Sequence, residues 1–238
     1  LSRNCQLYLP ARKHRALNRA LSHPGATLGK SAQVMRKKGK WYAIVYVRCP
    51  LPETQGAKGW YGADVGLNRS VTVSDGYQGP SLKPVLAAQK KRQGERQRQG
   101  CDHSFGTQTP QRQAIASEAR KLVSRAARAG RGIALEDPRR LPRWKQWAAR
   151  YFAKRVVLLA ALVGVPVTFV NAAYTSRTCP KCHSRKSARR KTWFRCTQCG
   201  YTHDADFVGS LNIARRACCY GSSHKSPKSL LLVAGAKS

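Results

Sequence analysis

The stretch WYGADVGLNRSVTVSDG (residues 60–76) decides how the chain is read. Two short runs, WYGADVG (60–66) and SVTVSDG (70–76), are bounded by glycines and read as consecutive strands, the second closing on an Asp-Gly turn. The first carries a carboxylate, Asp64, between Ala63 and Val65. An acid in the middle of a buried strand is costly unless a cation or a buried salt bridge compensates it. The placement therefore asks for a partner, and the rest of the sequence supplies candidates.

Downstream, AIASEARKLVSRAARAG (114–130) puts Ile115, Ala119, Leu122, Val123 and Ala126 on one helical face, with Gly130 as the stop. GIALED (132–137) reads as a short buried strand ending in two acids. A second amphipathic helix follows, with Trp144, Trp147, Tyr151, Leu158 and Leu162 near helical spacing, then a strand, PVTFVNA (166–172). A cysteine-rich insert (174–203) precedes a final helix over 206–217. Upstream, KGKWYAIVYVRC (38–49) alternates like a strand after a Lys-Gly turn, and LPETQGAKG (51–59) reads as a linker. The tract from Gln89 to Gln113 is polar, basic and low in complexity, an exposed helix fraying into a loop. Strands alternating with helices predict an α/β class, a mixed sheet with helices on both faces, and sites gather at strand ends in such sheets.

The charge balance narrows the partner. Forty-five Lys and Arg residues stand against ten Asp and Glu, a formal charge of +35 over 238 residues. A compact chain this basic repels itself and calls for a polyanion, nucleic acid being the usual one through its phosphates. A membrane is not expected: the most apolar run, VVLLAALVGVPVTFV (156–170), is too short and is broken by Gly and Pro. No signal peptide is evident, and the chain opens on Leu1 rather than Met, as expected of a fragment or of a processed or renumbered chain. Nine cysteines, of which Cys5, Cys49, Cys101, Cys218 and Cys219 follow no framework, fit a reducing cytoplasm better than secretion.

Four of those cysteines, Cys179, Cys182, Cys196 and Cys199, are spaced C-x2-C-x13-C-x2-C. Two such knuckles complete a tetrahedral sulfur shell for zinc with Zn–S near 2.3 Å, leaving no open position, so the ion would be structural. Gly200 suits the tight turn after the last cysteine. Two disulfides or free thiols are the alternative, and His183 and His203 read as bystanders. Between the knuckles lie six basic residues, among them Arg185, Lys186, Arg189, Arg190 and Lys191, around Trp193 and Phe194. With Lys90, Lys91 and Arg92 of the basic tract, these five are the candidates for phosphate contact, while Trp193 and Phe194 read as the packing of the ribbon's small core, with aromatic faces for bases as the alternative.

Of the ten carboxylates, Asp75 belongs to a turn, Glu118 to a helix surface, and Glu53, Glu95 and Asp102 to linkers or loops. The other five fall in three places: Asp64 in the first strand, Glu136 and Asp137 ending another, and Asp204 and Asp206 heading the last helix. Brought to one sheet edge, they would suit magnesium, which takes oxygen ligands from a few carboxylates plus substrate phosphate. Two such ions about 3.5–4 Å apart clamp the attacking and leaving oxygens of a phosphodiester. Simpler roles stand beside this one: Asp206 as a helix cap, and Glu136 and Asp137 paired with Arg139 or Arg140.

At these residues the chain resembles the RuvC-like nuclease of transposon-encoded TnpB proteins and their relatives, the type V CRISPR effectors. YGADVGLNRSVTVSDG (61–76) is similar to the family's first motif and GIALEDPRRL (132–141) to its second. DADFVGSLNIA (204–214) is similar to the third, directly after a four-cysteine ribbon opened by AYTSRTCPKC. The resemblance covers residues 60–217. It implies a ribonuclease-H-like fold and a catalytic triad of Asp64, Glu136 and Asp206 holding two magnesium ions. It further implies an RNA-guided DNA endonuclease whose partners are a guide RNA and a target DNA, in a prokaryotic cytoplasm at the nucleoid.

The implied domains are a remnant of a wedge-like β-barrel (1–57), the first part of the nuclease (58–173), a nucleic-acid-binding zinc ribbon (174–203), the third-motif helix (204–220) and a basic, flexible tail (221–238). Val208 stands where the family usually has Asn, two residues after the acid, and Pro138 where Leu is common after Glu-Asp. The helical lobe expected before the barrel is absent or much reduced, so a missing segment, a partner chain, a second copy or an unusually large RNA would supply recognition. An RNA-guided binder that does not cut and a generic zinc-ribbon nucleic-acid protein are the competing expectations.

Overall fold

The computed structural model describes residues 15–37, 39–54, 56–98, 110–140, 143–190, 192–220 and 229–233. The chain divides into two compact units, Leu1–Leu51 with Pro227–Ser238, and Pro52–Ser226.

The larger unit is built on a four-stranded sheet. Its strands are β3 (Trp60–Asp64), β4 (Thr72–Val73), β5 (Gly132–Glu136) and β6 (Val167–Val170), in the order β4-β3-β5-β6. β3 runs antiparallel to β4 and parallel to β5, and β5 parallel to β6. Beyond β4 the chain turns at Asp75–Gly76, where Gly76 takes φ +92°, and Gly79 N–H returns a hydrogen bond to Val71. The second strand is thus shorter than its sequence suggests, and the hairpin beside it is held by single bonds.

Side-chain alternation gives the sheet two different faces. Ala63, Ile133 and Leu135 face a core shared with helices α3 (Pro110–Ala129) and α4 (Arg143–Ala161). α3 contributes the residues its periodicity predicts, Ile115, Ala119, Leu122, Val123 and Ala126. On α4 the buried stripe is Ala148, Phe152, Val156 and Ala160, one step round from the aromatic stripe expected, since Tyr151 and Leu158 are only half-buried. Alanines on both helices keep this seam thin. The opposite face is covered by α5 (Ala205–Tyr220), whose Ile213 and Ala217 pack with Ala134 and Val170. α5 lies very close to β3: a Cβ on Gly62 would sit 2.0 Å from the Ser210 carbonyl oxygen and 2.4 Å from the Ala214 nitrogen. Only glycine fits there.

α2 (Lys83–Arg98) is the exposed basic helix expected over part of 89–113; residues 99–109 lie outside the described residues. Glu118, expected on a helix surface, is instead 2 % exposed, accepting from the Tyr77 hydroxyl at 2.7 Å and the Lys121 ammonium at 2.8 Å. Between β6 and α5 the insert forms an antiparallel ribbon of β7 (Ser187–Arg190), β8 (Trp193–Cys196) and β9 (Thr202–Asp204).

The smaller unit contains α1 (Arg15–Leu21) and a sheet in which β2 (Lys40–Pro50) pairs with β1 (Thr27–Lys37) through a turn at Gly39, φ +77°. Within the tail expected to be flexible over 221–238, β10 (Ser229–Val233) adds a third, antiparallel strand on the other edge of β2, and the rest of that tail lies outside the described residues. SLLLV is an apolar, strand-forming run, which the basic composition around it obscured. No helix among the described residues is long and apolar enough to cross a membrane.

Candidate functional site

Register explains how the three separated acids meet. Gly62 pairs with Ala134 and Ala63 with Leu135, so Asp64 and Glu136 stand one step further at adjacent strand ends. By alternation both belong to the face that carries Gly62 and Ala134, the face under α5. α5 then brings Asp206 in its first turn to the same place. Asp64, Glu136 and Asp206 line one open cleft of about 510 Å3, together with Arg69, Thr72, Thr175 and Arg189. Gly209 keeps the cleft clear on the α5 side, because a Cβ there would fall 2.8 Å from Asp64 Oδ2.

Each acid is held differently. Glu136 Oε1 accepts from the Thr175 hydroxyl at 2.5 Å, and that hydroxyl also lies 2.9 Å from the Ala172 carbonyl. Thr175 is buried, its own carbonyl accepting from Asn212 Nδ2 of α5 at 2.7 Å, and Asn212 donates as well to Thr178 at 2.7 Å. Arg216, one turn further along α5, binds the carbonyls of Asn171 and Ala173. The turn after β6 is thereby fastened to α5. Asp206 Oδ1 lies 3.3 Å from Arg189 Nη2 of the ribbon, a long and half-exposed ion pair.

The helix cap is Asp204 rather than Asp206: its Oδ1 accepts from the Asp206 and Phe207 amides at 3.1 Å each. Its Oδ2 pairs with Arg69 Nη1 at 2.7 Å. Asp137 turns away to Arg139 at 2.9 Å, which leaves Glu136 to the cleft. The donor set of the cleft, three carboxylates and a hydroxyl, suits a hard divalent cation such as magnesium. Its ligand oxygens are more widely spread than those of a closed metal cage: among the described residues, the four cysteines alone form a group of three or more such side chains with every ligand atom within 4.8 Å.

Those cysteines make the second feature. Cys179, Cys182, Cys196 and Cys199 converge from two equivalent knuckles, with Sγ–Sγ separations of 3.6 Å for the pairs 179–199 and 182–196. A tetrahedral sulfur shell at a Zn–S distance near 2.3 Å has edges of roughly 3.8 Å. The donors therefore fit a structural zinc. In each knuckle the residue after the second cysteine is left-handed, Gly200 at φ +71° and His183 at φ +62°. The Ser184 amide favours the Cys182 thiolate, yet burial and the three neighbouring sulfurs outweigh it and push that thiol up to about 12. Backbone amides of Cys199 and Gln198 hold Cys196 down at about 7 against its burial. Four thiolates this close need a cation between them. Both expected bystander histidines stay outside the cluster: His203 accepts from the Asp204 amide and lies beside Phe207.

The cationic candidates separate. Arg189 lines the cleft, whereas Lys90, Lys91 and Arg92 are exposed on α2, and Arg185, Lys186 and Arg190 on the ribbon. Arg185 stacks over Tyr174 at 4.5 Å, and Lys191 lies outside the described residues. Phe194 is fully buried with the cysteines, as expected, but Trp193 is 55 % exposed and does not pack the ribbon's core. Val208 is also fully buried in that core, so the position where the family usually carries Asn faces the ribbon. Thr175, Asn212 and Arg69 escaped the sequence analysis, since nothing in their spacing sets them apart from ordinary loop and helix residues.

Comparison with known proteins bears on the fold. Residues 150–213 match the family model "Cas12f1-like, TNB domain". A TnpB-like protein of Methanocaldococcus jannaschii is 28% identical over 93 residues, 39% of this chain and 32% of that protein. In fold, the chain is similar to Cas12f1 in its complex with sgRNA and target DNA (TM-score 0.51, 16% identity, 77% of this chain and 55% of that one). It is similar also to a CRISPR-Cas12f ternary complex (TM-score 0.52, 15% identity, 82% and 46%). The chain thus spans about a third of the curated relative and about half of these effectors. The mixed α/β fold, the cysteine cluster and these matches together make the chain similar to TnpB proteins and type V CRISPR effectors.

Proposed function

We propose that the protein is an RNA-guided, magnesium-dependent DNA endonuclease of ribonuclease-H-like, RuvC type, with Asp64, Glu136 and Asp206 as the metal-holding catalytic acids. One observation carries the proposal: three acids from three separated segments line a single open cleft on the face shared by β3, β5 and α5. Magnesium held there would supply charge stabilisation at the attacking and leaving oxygens of a phosphodiester. The chain's own groups prepare the site. Thr175 fixes one oxygen of Glu136, and Asp204 caps α5 so that Asp206 begins its first turn inside the cleft. Arg189 offers a guanidinium to a phosphate entering beside Asp206.

A charge of +35 supports a guide RNA and target DNA as partners, since neutralising it takes many phosphates. The solved relatives are complexes of that kind. The four cysteines would keep the ribbon folded around zinc and so hold Arg189 at the cleft. Recognition of the guide would rest in part on a lobe supplied by a further segment or another chain, and residues 1–57 would be what this chain retains of the wedge-like barrel.

The test is cleavage of guide-matched DNA with magnesium, wild type against Asp64→Ala, using the RNA that copurifies with the protein. The variant is expected to lose about three orders of magnitude in rate, the kinetic equivalent of several kcal/mol of charge stabilisation. Equal activity in the two proteins would reject the assignment. Guide-dependent binding with no scission in either would favour a binder that does not cut.

A further inference from the structure

β8 reads Trp-Phe-Arg-Cys, and the ribbon's pleat separates these four residues by face. Phe194 and Cys196 point into the zinc-bearing core and are fully buried. Trp193 and Arg195 belong to the other face, which is exposed. Cross-strand register places Arg190 directly opposite Trp193 on β7, and Asp204 directly opposite it on β9. The Ala205 amide donates to the Thr192 carbonyl at 2.7 Å, which makes Trp193 and Asp204 a pair without mutual backbone bonds, the kind whose side chains stand closest. Asp204 in turn binds Arg69, and Arg69 lines the acidic cleft. An exposed indole therefore stands at the ribbon edge of the cleft, with Arg190 across from it and Arg195 two residues along its own strand.

The ribbon's core does not need this ring, because Phe194 and the cysteines already fill it. An exposed indole beside cations offers a π-face and charge together. A protein surface suited to this face would have to be acidic, whereas the chain's overall charge of +35 favours a phosphate polyanion. Unpaired nucleic acid matches both features, phosphates for the arginines and a π-face for the indole. In a duplex those base faces are closed inside the stack, so the occupant must be single-stranded.

We propose that Trp193, flanked by Arg190 and Arg195, is a stacking platform for one unpaired base of the DNA strand entering the cleft. The choice of DNA rests on the nuclease assignment; the platform itself does not.

The test is equilibrium binding of a labelled single-stranded DNA by the full chain carrying Asp64→Ala, without magnesium, across a salt series. Replacing Trp193 with Ala is expected to weaken binding roughly tenfold while the salt slope stays unchanged, because stacking releases no counterions. On the same oligonucleotide made abasic, the two proteins should bind alike. Trp193→Phe keeps a ring and should keep most of the affinity; it should also lose the fluorescence quenching by DNA that the wild-type indole shows. The Phe variant and its quenching difference decide the matter even if the Ala variant folds poorly. An equal loss on abasic DNA, or quenching that survives in Trp193→Phe, would overturn the platform. A larger effect on single-stranded RNA would overturn the choice of DNA. Cleavage that fails with magnesium in the protein keeping Asp64, while stacking persists, would count against the nuclease assignment alone.

Discussion

The cysteine cluster and the acidic cleft both gather ligands from scattered positions, yet they differ in how finished they are. The four cysteines come from two knuckles within one short ribbon and already stand at sulfur-shell distances. The three acids come from two strands and a helix spread over more than half the chain, and they line a cleft without closing on one another. Local turns can preset a cage because few dihedrals separate the ligands. A site assembled across a sheet inherits its precision from packing, and like charges oppose its closing on itself. The cluster is thus a fastening, while the cleft stays open.

The largest effect should follow from breaking the fastening. Zinc in a closed sulfur site contributes about 10–16 kcal/mol of apparent binding free energy, most of which is folding free energy for a small ribbon. Cys196→Ser should therefore abolish bound zinc, measured as metal per chain, and expose the ribbon to protease while the sheet of the larger unit survives. Intact zinc content in that variant would mean that three sulfurs suffice and that the site is looser than its geometry.

Next in size is the packing that makes the cleft possible. Gly62→Ala would place a methyl 2.0 Å from the Ser210 carbonyl of α5, and backbone meeting backbone has no rotamer to escape into. Overpacking of this kind costs about 1–3 kcal/mol, occasionally more, and here it would lift α5, and Asp206 with it, away from β3. A lower melting temperature together with lost cleavage is expected; normal cleavage would show that the approach of α5 to β3 is not what brings the acids together.

How far all this could be read from the sequence follows the same division. The cysteines were legible because two-residue gaps leave few alternatives, whereas Asp64, read as an acid in the middle of a buried strand, ends β3 and is only half-buried, because the strand stops where the cleft begins. Asp204 and Asp206 were legible as a pair, but not which of them caps the helix, since either could reach an orphan amide. The exposure of Trp193 was missed because an alternating strand of four residues gives no sign of which face meets the core. The burial of Glu118 was missed because its partners, Tyr77 and Lys121, reach it from a hairpin edge and from its own helix. Thr175 and Asn212 were invisible for a different reason: their roles exist only once α5 lies across the turn after β6.

Those two residues give a smaller effect that sharpens the contrast. Thr175→Val keeps the shape and removes the hydroxyl that fixes Glu136, worth about 1 kcal/mol, or a five- to tenfold loss in cleavage rate with little change in melting temperature. A fall in stability without a fall in rate would make Thr175 a brace for the turn and nothing more.

The smallest expected change in stability belongs to Arg189, where the two regions touch. Its ion pair with Asp206 is long and half-exposed, a class worth about 0–1 kcal/mol, so Arg189→Gln should melt within a degree or two of the wild type. The interesting consequences lie in the ligands. Without the guanidinium, magnesium loses its competitor for Asp206, so it should raise the melting temperature at lower concentration in the variant. DNA should bind more weakly, with the salt slope reduced by about one for the lost phosphate contact. The two shifts run in opposite directions only if one arginine serves the acid before the substrate arrives and the phosphate afterwards. If magnesium and DNA affinities both fell, Arg189 would be a structural tie between ribbon and cleft, and the open state of the acids would need another cause.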